Sequence, residues 1–320
     1  MRIMLEYFKI GHYSDLQNAT GCTVILPPAD VVVSASVQGA SPGTRELALL
    51  SPEKKINSVN ALLLTGGSAF GLSAADGIMK YLAEREIGYR TNYGVVPIVP
   101  AAVIFDLNIG NPKKYPEVAN AVNALENAKL YNNACGNVGA GVGATVGKWT
   151  GIESAMKGGL GLAHNQHGAF KCSVLSVVNA VGDILNDKGT IIAGALDDNN
   201  RFFALKTRQK RWGKPAVGLA DNTILSAVMI NGNFDKSQLY YLSQRAHYGI
   251  AKCVEPSHTS YDGDTIFVLS LNNADINVDT AAMIIIETVK ESIINAVVNA
   301  SELFGFKAVK DLLHQQGIVS

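Results

Sequence analysis

Short apolar runs closed by Gly, Asn or Asp recur along the chain, and between them lie longer stretches whose apolar residues fall at helical spacing. The runs "NALLLTGG" (60–67), "VLSVVNAVGDIL" (174–185), "TIIAGAL" (190–196), "TILSAVMIN" (223–231) and "DTIFVLSL" (264–271) predict strands. They are rich in Leu, Ile and Val without strict alternation, which is the pattern of strands covered on both faces. "VVPIVPAAVIFDL" (95–107) is interrupted by Pro97 and Pro100, so it predicts an edge or entry segment followed by a short strand. Helices are predicted over 68–88, with Ser68 as N-cap, and over 116–128, 236–254 and 278–304. The last of these is apolar almost all round and is expected inside a helix layer or against another subunit. Strands covered by helices imply a layered α/β fold, whose strand order a single sequence does not give.

Composition narrows the partners. Of 320 residues 48% are hydrophobic and 17% charged, and 27 basic residues balance 27 acidic ones. A compact globule without net charge offers no general electrostatic attraction to nucleic acid or to an anionic membrane. Cys22, Cys135, Cys172 and Cys253 form no C-x-x-C pair, so neither a zinc knuckle nor a dense disulfide framework is expected, and reduced thiols in a cytoplasm are the default. The start, "MRIMLEYFKIGHYSDL", turns polar too early for a secretory signal, and no stretch reaches the roughly 18 apolar residues of a membrane span.

Familiar chemical motifs fail on spacing. "GNVGAGVGATVGKW" (136–149) places Trp149 where a phosphate-binding loop needs a hydroxyl, and "GGSAFG" (66–71) departs from the dinucleotide fingerprint. His164 and His167 have no carboxylate at ligand spacing, so no metal and no cofactor is expected. No G-x-S-x-G elbow is present. Thr223 stands differently. It opens a strand, follows Asn222 and comes after "LKTRQKRWGKPAVGLADN" (205–222), which carries Lys206, Arg208, Lys210, Arg211 and Lys214. That segment reads either as a solvated loop or as the tail left by a cut before Thr223. A threonine hydroxyl is a weak nucleophile and lacks an adjacent histidine here. A cut before it frees an α-amine with a reference pKa of about 8, which can serve as the base. Asp262 and Asp264 flank a glycine at the mouth of a predicted strand, and Lys148 closes the glycine-rich loop. Each also has a plain reading, as a turn Asp-Gly pair and a surface lysine.

Six ordered stretches, "GASPGTREL" (39–47), "NALLLTGGSAFGLSAADG" (60–77), "GAGVGATVGKW" (139–149), "SVVNAVGDI" (176–184), "NTILSAVMI" (222–230) and "DGDTIFVLS" (262–270), resemble the DmpA-like peptidase family. That family takes in L-aminopeptidase/D-esterases, β-aminopeptidases and nylon oligomer hydrolases. The resemblance implies an α/β αββα sandwich of the N-terminal-nucleophile-like type, also seen in ornithine acetyltransferases. It implies one domain over 1–320, self-cleaved between Asn222 and Thr223 into chains 1–222 and 223–320. Thr223 matches the nucleophile, Lys148 the lysine beside it, Asn179 the asparagine near the oxyanion, and Asp262 and Asp264 the pair that assists the α-amine. Asn-Thr and Asp-Gly-Asp look like the nylon oligomer hydrolases, which cleave linear amides such as 6-aminohexanoate oligomers. An aminopeptidase or β-aminopeptidase on short peptides, and a catalytically silent binding protein on the same fold, are the alternatives. Phe105 departs from the pattern, because it stands where family members carry a tyrosine near the substrate cleft. The resemblance further implies a homo-oligomer, a tetramer of αβ units.

Overall fold

The computed structural model describes residues 3–203 and 222–315. The basic segment 205–222 therefore lies, apart from Asn222, outside the described residues. Two five-stranded sheets form the middle of the protein. The first comprises β1 (Lys9–Asp15), β2 (Thr20–Leu26), β4 (Thr44–Arg45), β5 (Leu62–Thr65) and β6 (Ala101–Val103), in the order β1-β2-β5-β6-β4. The second comprises β3 (Val32–Gly39), β7 (Gly159–His167), β8 (Phe170–Asn179), β9 (Thr223–Gly232) and β10 (Gly263–Ala274), in the order β7-β8-β9-β10-β3. Within each sheet one neighbouring pair is parallel, β5 with β6 and β9 with β10, and the other pairs are antiparallel.

Three apolar layers follow from the two-residue period of the strands. Along β9, Leu225, Ala227 and Met229 join Ile25, Leu64, Ala102 and Phe267 between the two sheets. The alternate residues Ile224, Val228 and Ile230 face α3 (Lys236–Cys253) and α4 (Val278–Val298), which supply Leu239, Leu242, Ile250, Ile285, Val289 and Ile293. On the far side, α1 (Ala75–Ala83) and α2 (Val118–Glu126) pack Ile78, Leu82, Ala121 and Ala124 onto Cys22, Val24 and Leu63. The order is thus helix, sheet, sheet, helix. Burial on both faces explains why β9 reads as a continuous apolar run, each large aliphatic side chain contributing about 1.5–3 kcal/mol.

Several expectations shift. The 174–185 run is two strands, because the chain turns at 180–182 and Asp183–Leu185 joins a separate three-stranded sheet. Ser68 is not a helix cap: residues 68–74 form a 3₁₀ turn capped by Gly67 at φ +85°, and Ser68 itself sits at φ +51°. The α-helix begins only at Ala75. Helix α4 ends at Val298 with Asn299 as C-cap, six residues short of the predicted end at 304. It buries one face and leaves Met283 62% exposed on the other. The strands β1, β2, β3 and β7 carry Gly, Ser, His and Thr among their apolar residues and were not evident as strands. No helix among the described residues is long and apolar enough to cross a membrane.

Candidate active site

Thr223 is the first residue of β9 and is 2% exposed. Its hydroxyl donates to the carbonyl oxygen of Asn222 at 2.6 Å. The same oxygen accepts the Gly263 N–H at 2.7 Å, and Asn222 N–H donates to the Tyr261 carbonyl at 2.7 Å. The peptide bond before Thr223 is therefore clamped from both sides against the entry to β10, with its carbonyl polarised by two donors. Gly263 has to be glycine, because a Cβ there would stand 2.4 Å from the Ser41 carbonyl oxygen.

The parallel pairing of β9 with β10 brings Asp264 beside this bond. One Asp264 carboxylate oxygen accepts the Ile224 N–H at 2.7 Å, and the other meets His258 Nδ1 at 2.7 Å. Asp262 turns instead toward Thr259, whose N–H and hydroxyl donate to it at 2.7 and 2.6 Å. Burial, reinforced by the charge of Asp264, pushes the Asp262 carboxyl up to about 6. The antiparallel register places Asn179, the last residue of β8, opposite Thr223. Asn179 Oδ1 accepts from Lys148 Nζ at 2.7 Å and from Thr145 N–H at 3.0 Å, while its Nδ2 donates to the Phe105 carbonyl at 3.0 Å. Lys148 is 4% exposed, and burial holds its ammonium well below the ordinary lysine value, the charge of Asp262 offsetting part of that. Its hydrogen bonds run to Asn179, so it meets Thr223 through Asn179 rather than directly.

Thr223, Phe105, Val103, Ser41, Gly43 and Ser68 help to line a cavity of ≈ 130 Å³. Beside Phe105 in the chain, the buried Asp106 accepts Gly67 N–H at 2.7 Å and the Thr20 hydroxyl at 2.8 Å. A side chain at Gly66 would run into that carboxylate, its Cβ 2.0 Å from Oδ2. The glycine-rich loop has the opposite polarity to a phosphate cradle: the Gly141 and Ala144 carbonyls accept from buried Lys157 Nζ at 3.1 and 2.7 Å. Burial lowers Lys157 to about 7 and raises Asp106 to about 6. His164 pairs with Ser173 at 2.7 Å, and among the described residues no cluster of His, Cys, Asp or Glu is arranged to hold a metal ion.

All the predicted site residues, Thr223, Asn222, Lys148, Asn179, Asp262, Asp264 and Phe105, thus fall around one peptide bond. Sequence reasoning missed His258. Its signal was faint: a histidine six residues before Asp264, in the loop that leads through Asp262 into β10.

The sequence matches Peptidase family S58 over residues 6–310. The chain belongs to that family. An uncharacterised aminopeptidase of Mycobacterium tuberculosis is 36% identical over 281 residues, 82% of this chain and 78% of its relative. A 6-aminohexanoate-oligomer endohydrolase of Agromyces sp. is 31% identical over 272 residues, 83% and 73% of the two chains. The fold is that of the L-aminopeptidase D-Ala-esterase/amidase of Ochrobactrum anthropi, an N-terminal-nucleophile hydrolase variant, with a TM-score of 0.72 at 17% identity, covering 100% of this chain and 96% of the other. A β-aminopeptidase of Burkholderia sp. gives 0.73 at 17% identity, covering 98% and 94%. This S58 protein is a peptidase or amide hydrolase with the αββα sandwich expected from its motifs.

Proposed function

We propose that the protein is an autoprocessing N-terminal-threonine amide hydrolase acting on linear amides of the ω-amino-acid oligomer type. The observation that carries this reading is the Thr223 hydroxyl lying 2.6 Å from the oxygen of the carbonyl it would attack, with Gly263 N–H on that same oxygen. In maturation Thr223 Oγ1 adds to the Asn222 carbonyl carbon, and Gly263 N–H holds the negative oxygen. The C–N bond breaks as the nitrogen takes a proton, leaving an Asn222 ester on Oγ1. Water then hydrolyses the ester to give chain 1–222 and a chain that begins at Thr223.

In the mature enzyme the freed α-amine accepts the hydroxyl proton as Oγ1 attacks a substrate amide, and returns it to the leaving amine. Asp264, fixed on Ile224 N–H, stands where it can orient that amine. Asn179 Nδ2 supplies an oxyanion donor, and Lys148 holds Asn179 in place. The Asn-Thr and Asp-Gly-Asp residues, with the 31% identity to 6-aminohexanoate-oligomer endohydrolases, support the oligomer substrate. A second reading, an aminopeptidase trimming short peptides, is favoured by the 36% identity to a protein named as an aminopeptidase. A free-amine p-nitroanilide assayed beside a blocked 6-aminohexanoate oligomer separates the two. The exposed Met283 face of α4 supports assembly into an oligomer of αβ units, which light scattering measures.

The test of the nucleophile is Thr223→Ala. The expected product is one uncut chain without amide hydrolysis, read by intact mass and by turnover. Two chains parting at 222/223, or retained turnover, would sink the assignment.

A further inference from the structure

We propose that His258 is a positioning residue for the reaction, holding the Asp264 carboxylate against the start of β9 so that it faces the Thr223 amine. The inference rests on the N-terminal-threonine reading above and adds to it a histidine that this reading does not use. Asp264 is 1% exposed and has two engaged oxygens, one on Ile224 N–H and one 2.7 Å from His258 Nδ1. A carboxylate held at both oxygens by groups on different elements cannot swing, so its alignment to residue 223 is fixed before substrate arrives.

The ring is itself constrained. His258 Nε2 lies 3.4 Å from the His247 carbonyl on α3, and the His247 ring packs edge-on at 5.0 Å between centroids. The backbone at His258 is left-handed, φ +54°, an uncommon conformation for a non-glycine residue and one that gathers at functional sites. Asp264 and Asp262 face the ring from the strand side and His247 from α3. Burial opposes charge on the ring, but the bond to Asp264 and that carboxylate's charge outweigh it and raise its pKa above the ordinary histidine value. His258 also borders a cavity of ≈ 470 Å³ that neither Asp264 nor Thr223 lines, together with Gln38, Arg245, His247 and Tyr248. A small imidazole therefore has a way in from solvent.

The experiment uses the full-length protein with two variants. His258→Gly suits the left-handed backbone and empties the ring site, while His258→Asn keeps a donor near Nδ1 and also tolerates that backbone. Self-cleavage is followed by intact mass, and kcat, KM and melting temperature are measured from pH 5 to 9 with and without added imidazole. The expected result is a kcat about 100-fold lower in the Gly variant at nearly unchanged KM. Imidazole or the Asn substitution restores most of the loss. The activity of the Asn variant no longer carries the pH limb belonging to the ring. Wild-type kcat in the Gly variant would overturn the proposal. So would a loss that follows the melting temperature and that neither imidazole nor Asn repairs. Failure of the underlying reading is distinguishable, because it shows as an uncut wild-type chain or an active Thr223→Ala protein.

Discussion

Asn179 is asked to do two things, and two substitutions separate them. Its side chain is fully buried and satisfies three groups: Lys148 Nζ, Thr145 N–H and the Phe105 carbonyl. Asn179→Ala strips the partner from all three, and each buried polar group left unpaired costs about 1–3 kcal/mol. Lys148 keeps a 3.3 Å bond to the Asn179 backbone carbonyl, so the sum falls toward the lower end, about 3–5 kcal/mol. Against a typical total of about 5–15 kcal/mol that is a large fraction, and the melting temperature should fall on the order of 10 °C. Asn179→Asp preserves shape and the oxygen that serves Lys148 and Thr145; it removes the donor, so the Phe105 carbonyl loses its partner and faces a carboxylate oxygen instead. The melting temperature of the Asp variant should fall by less than that of the Ala variant, about 1–3 kcal/mol of stability for the one carbonyl left unpaired, while turnover drops about 100- to 1,000-fold, the usual cost of one oxyanion donor. Thermal melts and kcat/KM on the same amide, with intact mass to report self-cleavage, decide the matter. An Asp variant with wild-type turnover refutes the donor role, and an Ala variant that melts like wild type refutes the three-way network.

Asp106 should leave a signature in the pH dependence of stability. Its folded pKa of about 6 lies above the ordinary 3.8 because of burial, so its contribution is complete below pH 3.8 and is lost as pH rises through about 6. That loss amounts to about 3 kcal/mol. Denaturant midpoints at pH 4 and 7 should show Asp106→Asn losing less stability over this window than wild type; equal slopes would refute the assignment. Among the cysteines, burial pushes Cys22, Cys172 and Cys253 up to about 12, whereas Cys135 is only half-buried and less shifted. An aromatic disulfide reagent at pH 8 should therefore label Cys135 first in the native protein. Labelling of Cys172 at the same rate would contradict the packing of the helix layer.

The sequence announced strands wherever both faces are apolar, which is why β9 and β10 were legible almost to their ends. It hid β1, β2, β3 and β7, whose Gly, Ser, His and Thr residues fit because neighbouring backbone approaches closely; a Cβ at Gly11 would sit 1.8 Å from the Ala124 carbonyl oxygen. The break after Asn179 was invisible, since Ala180 and Val181 continue the apolar run while the backbone turns. That break lets Asn179 end β8 opposite Thr223. The site was legible through motif order rather than physics, because neither aspartate nor Lys148 carries a local sign of its burial. His258 stayed hidden because its role depends on a left-handed turn and on a partner brought close by tertiary structure.

The order β7-β8-β9-β10-β3 has a consequence for the cleavage proposed before Thr223. Residues 223–320 contribute β9 and β10, the two inner strands, and residues 1–222 contribute the strands on either side. The ladders run from Asn179↔Thr223 to Cys172↔Ile230 on one flank and from Gly263↔Gly39 to Ser270↔Val32 on the other. Once the chain is cut, the smaller piece is a wedge that cannot leave without opening both ladders, so separation and unfolding become the same event. Renaturation then changes from a unimolecular process to a bimolecular one in which an inner pair of strands must find its slot between two others. On the proposed reading the precursor is the form that folds as a single chain, and cleavage would turn a reversible fold into one that is made once.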